Sequence, residues 1–368
     1  MRTQARAALL NGLWEQKLGV SLSSIERAYQ NNADIYHPSD YESGDYEGQS
    51  FKFDWQHNLY LTEANTLTLG LESEKEQMKS DYLSQSAWGT YPSTFDNKAA
   101  HTAGYYVQDQ IRLWDDWLTT LGLRLDDHSR FGTKSTYRLT SSYRIKASAT
   151  RLKGSYGTGF KTPSLFQLYD LTYGNLNLRP ETSTGWDLGC EQQLGPKWLT
   201  LELTYFRNYF KKMIDYDSAT HKYLNRGAAE TKGIEAALKA RPIDDLSLTA
   251  GYTCSRTEDK TTRDKLLRRP HDKAFVNVDY RFIEKASVNL GMVAVGKRDD
   301  AYWDATSFST KRVKLNNYNL VNLAVSYEVT EDLLLTGRIE NLTDAHYEEV
   351  YGYGVNGRSA YAGLRLNF

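Results

Sequence analysis

Through most of this chain apolar and polar residues alternate one by one, and that alternation limits the possible folds more than any other feature. In Leu199-Thr200-Leu201-Glu202-Leu203-Thr204-Tyr205 the odd positions are apolar and the even ones polar. Successive side chains of a strand point to opposite faces, so such a segment makes a ribbon with one apolar and one polar face. The same reading holds for Leu246 to Tyr252, Val321 to Tyr327 and Leu364 to Phe368, and no stretch keeps a helical period over several turns. Counting these segments predicts about seventeen strands, near residues 5–14, 18–30, 48–60, 66–79, 100–113, 117–126, 135–145, 150–159, 182–194, 198–212, 227–240, 246–256, 272–282, 286–297, 318–329, 333–343 and 358–368.

The connections alternate in length. Short ones fall at 15–17, 62–65, 115–116, 146–149, 195–197, 241–245, 283–285 and 330–332. Longer ones fall at 31–47, 80–99, 127–134, 160–181, 213–226, 257–271, 298–317 and 344–357. A soluble sandwich has no reason to tighten every second turn, whereas an outer-membrane barrel has short periplasmic turns and long extracellular loops. No run of 18 apolar residues occurs, which excludes a helical span but not a barrel, whose strands read as hydrophilic on average. The 27 tyrosines suit a boundary between lipid and water. Trp114 and Trp117 flank one short turn, Trp198 follows another, and Trp14 is expected to precede a third. The predicted class is therefore all-β, a transmembrane antiparallel barrel in contact with outer-membrane lipid. The last strand, with Gly363, Leu366 and the terminal aromatic Phe368, resembles the signal by which bacterial barrels are handed to their assembly machinery. If that end is periplasmic, every long loop is extracellular.

Other chemistries find little support. With 45 basic against 46 acidic residues there is no global field for nucleic acid. Cys190 and Cys254 form no CxxC or Cys/His spacing for a metal, and read as lone lipid-facing thiols. His128 follows Asp126 and Asp127, but the seven histidines are scattered, and nothing promotes a Ser-His-Asp hydrolase. No cofactor and no enzymatic activity are expected. The first residues carry two arginines yet reach Asn11 and Glu15 before a signal-length apolar core forms, so an export signal is not expected within this stretch.

Three patches carry a family likeness: Gly157-Thr158-Gly159-Phe160-Lys161-Thr162-Pro163-Ser164-Leu165, Tyr173-Gly174-Asn175-Leu176-Asn177-Leu178-Arg179-Pro180-Glu181, and Ile339-Glu340-Asn341-Leu342-Thr343-Asp344. They resemble the barrel of TonB-dependent outer-membrane receptors of Gram-negative bacteria. Ile214 to Asp217, Asn225-Arg226-Gly227, Lys232 to Glu235, Leu266 to Arg269 and Tyr347 to Tyr353 resemble the cobalamin (vitamin B12) receptors within that family. Leu176 departs from the family, which often has proline there. The resemblance implies a barrel of 22 strands, of which this chain reads as the last seventeen or so. It also implies a signal peptide, a TonB-pairing segment and a plug domain upstream of Met1, so that residues 1–368 are barrel alone.

The function so implied is TonB-energised uptake of a scarce nutrient, cobalamin or else an iron chelate such as a siderophore or haem. Candidate ligand contacts are the loop aromatics Tyr36, Tyr41, Trp88, Tyr91, Tyr169, Tyr173, Tyr216, Tyr302, Trp303 and Tyr353, whose faces can pack on a flat macrocycle. The bland reading of each is an exposed or girdle aromatic. Asp40, Glu42, Asp45 and Glu47 could supply oxygens to calcium, although no EF-hand spacing is present and a solvated acidic loop explains them as well. Inward-facing charges such as Arg124 and Glu202 fit a polar lumen. The rivals are a passive porin and a soluble all-β binding module or enzyme.

Overall fold

The computed structural model describes residues 1–35, 38–195, 198–217 and 220–367. Its strands in chain order begin with β1 Arg2–Leu9, β2 Trp14–Asn31, β3 Tyr41–Thr62, β4 Asn65–Ser86, β5 Gly89–Pro92, β6 Phe95–Leu113, β7 Trp117–His128 and β8 Gly132–Ile145. Next come β9 Thr150–Lys161, β10 Glu181–Leu194, β11 Leu199–Lys211, β12 Ile214–Asp217, β13 Lys222–Asn225, β14 Ala228–Ile243 and β15 Leu246–Asp259. The last are β16 Asp272–Ile283, β17 Ala286–Val295, β18 Arg298–Asp304, β19 Ser309–Leu315, β20 Tyr318–Glu328, β21 Leu333–Glu340 and β22 Ser359–Leu366. Eighteen strands share one sheet, while β12–β13 and β18–β19 form separate hairpins. Setting aside the four-residue β5, seventeen long strands remain, the number that the alternation predicts.

Two compact units divide the chain: residues 1–141, 155–184 and 210–228 in the first, residues 142–154, 185–209 and 229–368 in the second. In the first, antiparallel register aligns Ala5, Leu18, Trp55, Leu71, Tyr105 and Leu125 in one row. The row one residue along runs Gly19, Asp54, Glu72, Gly104 and Asp126. In the second unit Ala240, Leu248, Val278, Leu290, Leu323, Ile339 and Ala360 align. Beside them lie Lys239, Thr249, Asn277, Gly291 and Asn322. A shift of one residue would exchange these faces, so the alternation fixes the register.

The polar face pairs its charges internally. Arg124 meets Glu72 at 2.6 Å and Asp126 at 2.7 Å, and Lys52 reaches Glu72 at 3.2 Å. Gly70 and Gly104 leave the space that the Tyr106 ring and the Arg124 guanidinium occupy. In the second unit Lys153 pairs with Glu202, and Asn289 donates to Asp279 at 2.6 Å. The apolar face has no such cover. Only eight apolar side chains among the described residues are buried, and four of these, Phe95, Leu165, Leu168 and Leu178, belong to one loop cluster. Leu290 is 42% exposed and Leu335 43%, within whole rows of exposed apolar residues. Patches of that extent fit a lipid surround rather than water.

Several boundaries differ from expectation. The first turn lies at Leu10–Leu13, and Trp14 comes after it. An Asn-Gly pair at 11–12 supplies the positive φ values a tight reversal needs, 54° and 88°. Residues 127–134 contain a three-residue turn, not a long loop. His128, buried at the end of β7, accepts the Arg130 backbone N–H at 3.1 Å, a turn-closing role that accounts for the residue after two aspartates. Strand β3 starts well inside the stretch expected as loop 31–47 and β4 runs into that expected as loop 80–99, because a ladder can continue where apolar alternation stops.

Leu290 tests the assignment of faces. Leu290→Arg in lipid should cost about 2–4 kcal/mol of barrel stability, the penalty for a cation near mid-bilayer, whereas Asn289→Arg on the polar face should cost far less. Denaturant unfolding in vesicles measures both.

Candidate ligand-binding site

In the first unit, residues 162–180 form a compact platform. Ser164 caps the single turn of α1, Leu165–Tyr169, accepting the Gln167 N–H at 3.1 Å while the Gln167 side chain accepts the Ser164 N–H at 3.0 Å. Asp170, 4% exposed, ties the next turn of the chain together. One carboxylate oxygen accepts the N–H groups of Thr172 and Tyr173, at 3.0 and 2.6 Å, and the other accepts the Ser93 hydroxyl at 2.6 Å. Gly174 packs so closely on the Asp170 backbone that any Cβ would collide with it.

The β12–β13 hairpin lies along this platform. Tyr223 donates its N–H to the Tyr173 carbonyl at 3.0 Å, and the Asn175 amide donates to the Tyr223 carbonyl at 2.8 Å. Asn225 exchanges two hydrogen bonds with the Arg179 backbone, each 2.8 Å. Arg226, which follows β13, reaches back along the hairpin to pair with the buried Asp217 at 2.6 Å. The patches 173–181 and 225–227 that carry the family likeness are thus one structural unit.

Rings converge there. Tyr173 and Tyr216 meet edge to face with centroids 5.6 Å apart, Tyr216 and Tyr223 at 5.8 Å, and Phe166 and Tyr223 at 6.3 Å. Phe166 also meets Tyr46, which stacks on Tyr29. Burial, then neighbouring tyrosine and aspartate charge, pushes the hydroxyls of Tyr173 and Tyr223 up, so they are neutral hydrogen-bonding groups. A cavity of about 890 Å³ adjoins the cluster, lined by Arg27, Tyr29, Tyr46, Lys161, Pro163 and Phe166 among others. Its size suits a large ligand. Tyr169 faces the cations Lys98 and Arg130, at 5.4 and 5.7 Å from its ring.

The second unit has its own aromatic group. Asp300, fully buried in β18, accepts Arg268 Nε, the Ala301 N–H and the Tyr351 N–H, each at 2.8 Å. Burial alone would raise its pKa, but the two backbone donors and Arg268 outweigh it and hold the carboxyl below its ordinary value. This anchors loop 341–358 to the β18–β19 hairpin, with Tyr302 stacked on Tyr351 at 4.5 Å and Tyr318 on Tyr347 at 4.2 Å. In the same hairpin Lys311, then Ser307, lowers the Asp304 carboxyl to about 2.

The predicted aromatics therefore separate. Tyr173 and Tyr216 come together, and Tyr302 gains a ring partner in Tyr351. Trp88 and Tyr91 sit about the exposed β5 turn, Trp303 is 58% exposed and Tyr353 71%. Tyr41 is half-buried at the start of β3. Tyr36 lies outside the described residues, as does Phe368; Gly363 and Leu366 lie on β22 opposite Thr336 and Leu333. The acidic run is not a loop. Glu42, Asp45 and Glu47 belong to β3, where strand alternation places Glu42 on the face opposite the other two, and Lys79 takes Glu47 at 2.5 Å; only Asp40 precedes the strand. Among the described residues the donors that converge as a metal could use them are instead Cys254, His271 and Asp272. Phe166, Tyr223, Tyr29 and Tyr46 lie outside the expected set. The Ser164-to-Gln167 capping box is the available signal for the first, since it places a helix beside the likeness patch.

An antiparallel sheet whose strands are joined by tight turns and by longer, internally packed loops is the architecture of an outer-membrane β-barrel. The chain belongs to the family described as TonB dependent receptor-like, beta-barrel, whose model matches residues 3–342. It is 32% identical over 258 residues to the vitamin B12 transporter BtuB of Vibrio cholerae, a match covering 69% of this chain and 41% of that protein. The matched stretch of the chain thus spans less than half the length of these curated relatives. In fold it is similar to the ferripyoverdine receptor of Pseudomonas aeruginosa, with a TM-score of 0.81 at 17% identity, covering all of this chain and 56% of that one. The copper transporter OprC gives 0.82 at 13%, covering all of this chain and 65% of that one.

Two substitutions test the loop packing. Gly174→Ala should weaken the platform locally by about 1–3 kcal/mol, the usual cost of overpacking, seen as faster amide exchange across 162–180. For Asp300 the folded pKa is depressed, so its stabilisation is present above the ordinary value of 3.8 and is lost as pH falls below it. Proteolytic nicking of loop 341–358 should therefore rise on acidification below pH 3.8, and Asp300→Asn should raise it already at neutral pH.

Proposed function

We propose that this chain is the barrel portion of an outer-membrane receptor for TonB-energised nutrient uptake, and that its ligand is cobalamin. The similarity to the vitamin B12 transporter carries the ligand assignment, because it extends over 258 residues at 32% identity. The edge-to-face group of Tyr173, Tyr216, Tyr223 and Phe166 supports it, offering apolar faces with polar rims to a broad, flat ligand. In this reading TonB acts through a plug domain encoded outside these 368 residues, and the loops supply the outer half of the ligand site. Packing among the rings pre-arranges the faces, so less ordering cost falls on binding.

One observation favours a second ligand class. Lys98 and Arg130 face Tyr169, a cationic setting that suits an anionic iron chelate, whereas in the 890 Å³ cavity Arg27 and Lys161 are balanced by Glu47 and Glu76. Calorimetry on the full-length receptor with cyanocobalamin and a panel of ferric siderophores separates the two. Tight binding of cyanocobalamin is expected, weakened at least about tenfold, or 1.4 kcal/mol, by Tyr173→Ala or Tyr216→Ala. Binding of an iron chelate alone would contradict the cobalamin assignment. A large, constitutively open conductance would contradict a receptor altogether and indicate a porin.

A further inference from the structure

Cys254 is not the isolated lipid-facing thiol that the sequence pattern leads one to expect. Register places it opposite Asp272 at the start of β16, and His271 precedes that aspartate. Cys254 Sγ lies 3.8 Å from His271 Nδ1, and that nitrogen lies 2.9 Å from Asp272 Oδ2, with the three donor atoms all within 4.8 Å of one another. Sγ is also 3.7 Å from Nε2, so it lies against the face of the imidazole while Nδ1 is engaged by the carboxylate. A turn of the ring about its Cβ–Cγ bond brings the Nδ1 lone pair to a centre shared with Sγ and Oδ2, whose separations bracket the edges of about 3.3–3.7 Å of a tetrahedral ion with bonds of about 2.0–2.3 Å.

The surroundings hold the backbone that carries the donors in place. Ser255 donates its N–H to the His271 carbonyl at 2.7 Å and its hydroxyl to the Pro270 carbonyl at 3.2 Å. Gly296 donates its N–H to the Asp272 carbonyl at 2.8 Å, so the neighbouring strand β17 and the segment just after it fix the same backbone from the other side. Tyr252 donates to the second oxygen of Asp272 at 2.5 Å, an outer contact that orients the carboxylate. Position also speaks for a ligand. The rows Leu238, Ala250, Val276 and Ala236, Tyr252, Ala274 are apolar or aromatic, and the next row on the same face is Ile234, Cys254, Asp272. A carboxylate there, with an imidazole beside it, breaks the pattern of that face. Neither is needed to pair the strands.

We propose that Cys254, His271 and Asp272 bind one divalent transition-metal ion of the zinc class, through thiolate, neutral imidazole and carboxylate. This donor set suits zinc rather than calcium or magnesium, which take oxygen ligands. Binding replaces the thiol S–H by an S–metal bond and releases that proton to solvent; no electron is transferred. A fourth position is left to water. The ion ties the end of the 260–271 loop to β15, so metal content sets the mobility of that loop.

The test uses the full-length receptor in detergent, in a Cys190→Ser background that leaves Cys254 as the thiol of this barrel, with Co²⁺ as the probe. One equivalent of Co²⁺ should bind with a thiolate-to-cobalt charge-transfer band, which Zn²⁺ displaces. Cys254→Ser should abolish the band, and Asp272→Asn should weaken binding about 10- to 100-fold or more. Heat-modifiable electrophoretic mobility shows that each variant is folded. Zn²⁺ should also slow alkylation of Cys254 by maleimide. Absence of the band at saturating Co²⁺ in the folded parent, its persistence in Cys254→Ser, or unchanged affinity in Asp272→Asn would overturn the site.

Discussion

Every backbone N–H and C=O that enters a bilayer must be satisfied within the protein, because hydrocarbon offers no partner. In this chain the antiparallel ladder does that, pairing long runs such as Tyr41–Tyr60 with Thr66–Gln85 residue for residue. Once the ladder exists, register decides which side chains share a face. The apolar row through Leu290 and the neighbouring row through Asn277 come from a difference of one residue in phase. Lipid contact, internal ion pairs such as Arg124 with Glu72 and Asp126, and the small number of buried apolar residues all result from that phase.

Beyond the apolar band the loops need another source of order, and both units use a buried carboxylate that accepts backbone N–H groups. Asp170 fixes the 162–180 platform, and Asp300 fixes loop 341–358. Each carboxylate orders backbone a few residues from the rings it serves: Asp170 serves Tyr173, and Asp300 serves Tyr302 and Tyr351. The loops are therefore preorganised surfaces carried on a rigid sheet, an arrangement suited to recognition.

The fold was legible because period 2 is a local signal and persists through seventeen strands. What escaped reading depends on non-local pairing. The extension of β3 and β4 rests on cross-strand bonds, such as that of the Tyr82 hydroxyl with Glu42, in a stretch that carries no apolar alternation. Glu42, Asp45 and Glu47 look like one acidic group in sequence and fall on two faces of a strand. Cys254 and His271 are 17 residues apart and meet through register across the β15–β16 ladder. The family patches at 173–181 and 225–227 were visible as words, while their meeting through Asn175, Tyr223 and Asn225 was not. Tyr173 and Tyr216 were readable as loop tyrosines; Phe166 and Tyr223, which complete their cluster, needed the helix cap and the hairpin to be seen.

The central claim is that adjacent residues along one strand face lipid and water in turn. Site-specific fluorescence at positions 289 and 290, each introduced as a single cysteine in a variant lacking Cys190 and Cys254 and reconstituted in vesicles, tests it directly. Brominated lipid should quench the label at 290 strongly and the label at 289 weakly, while an aqueous quencher should do the reverse. Equal quenching of the two positions by either reagent would contradict the account.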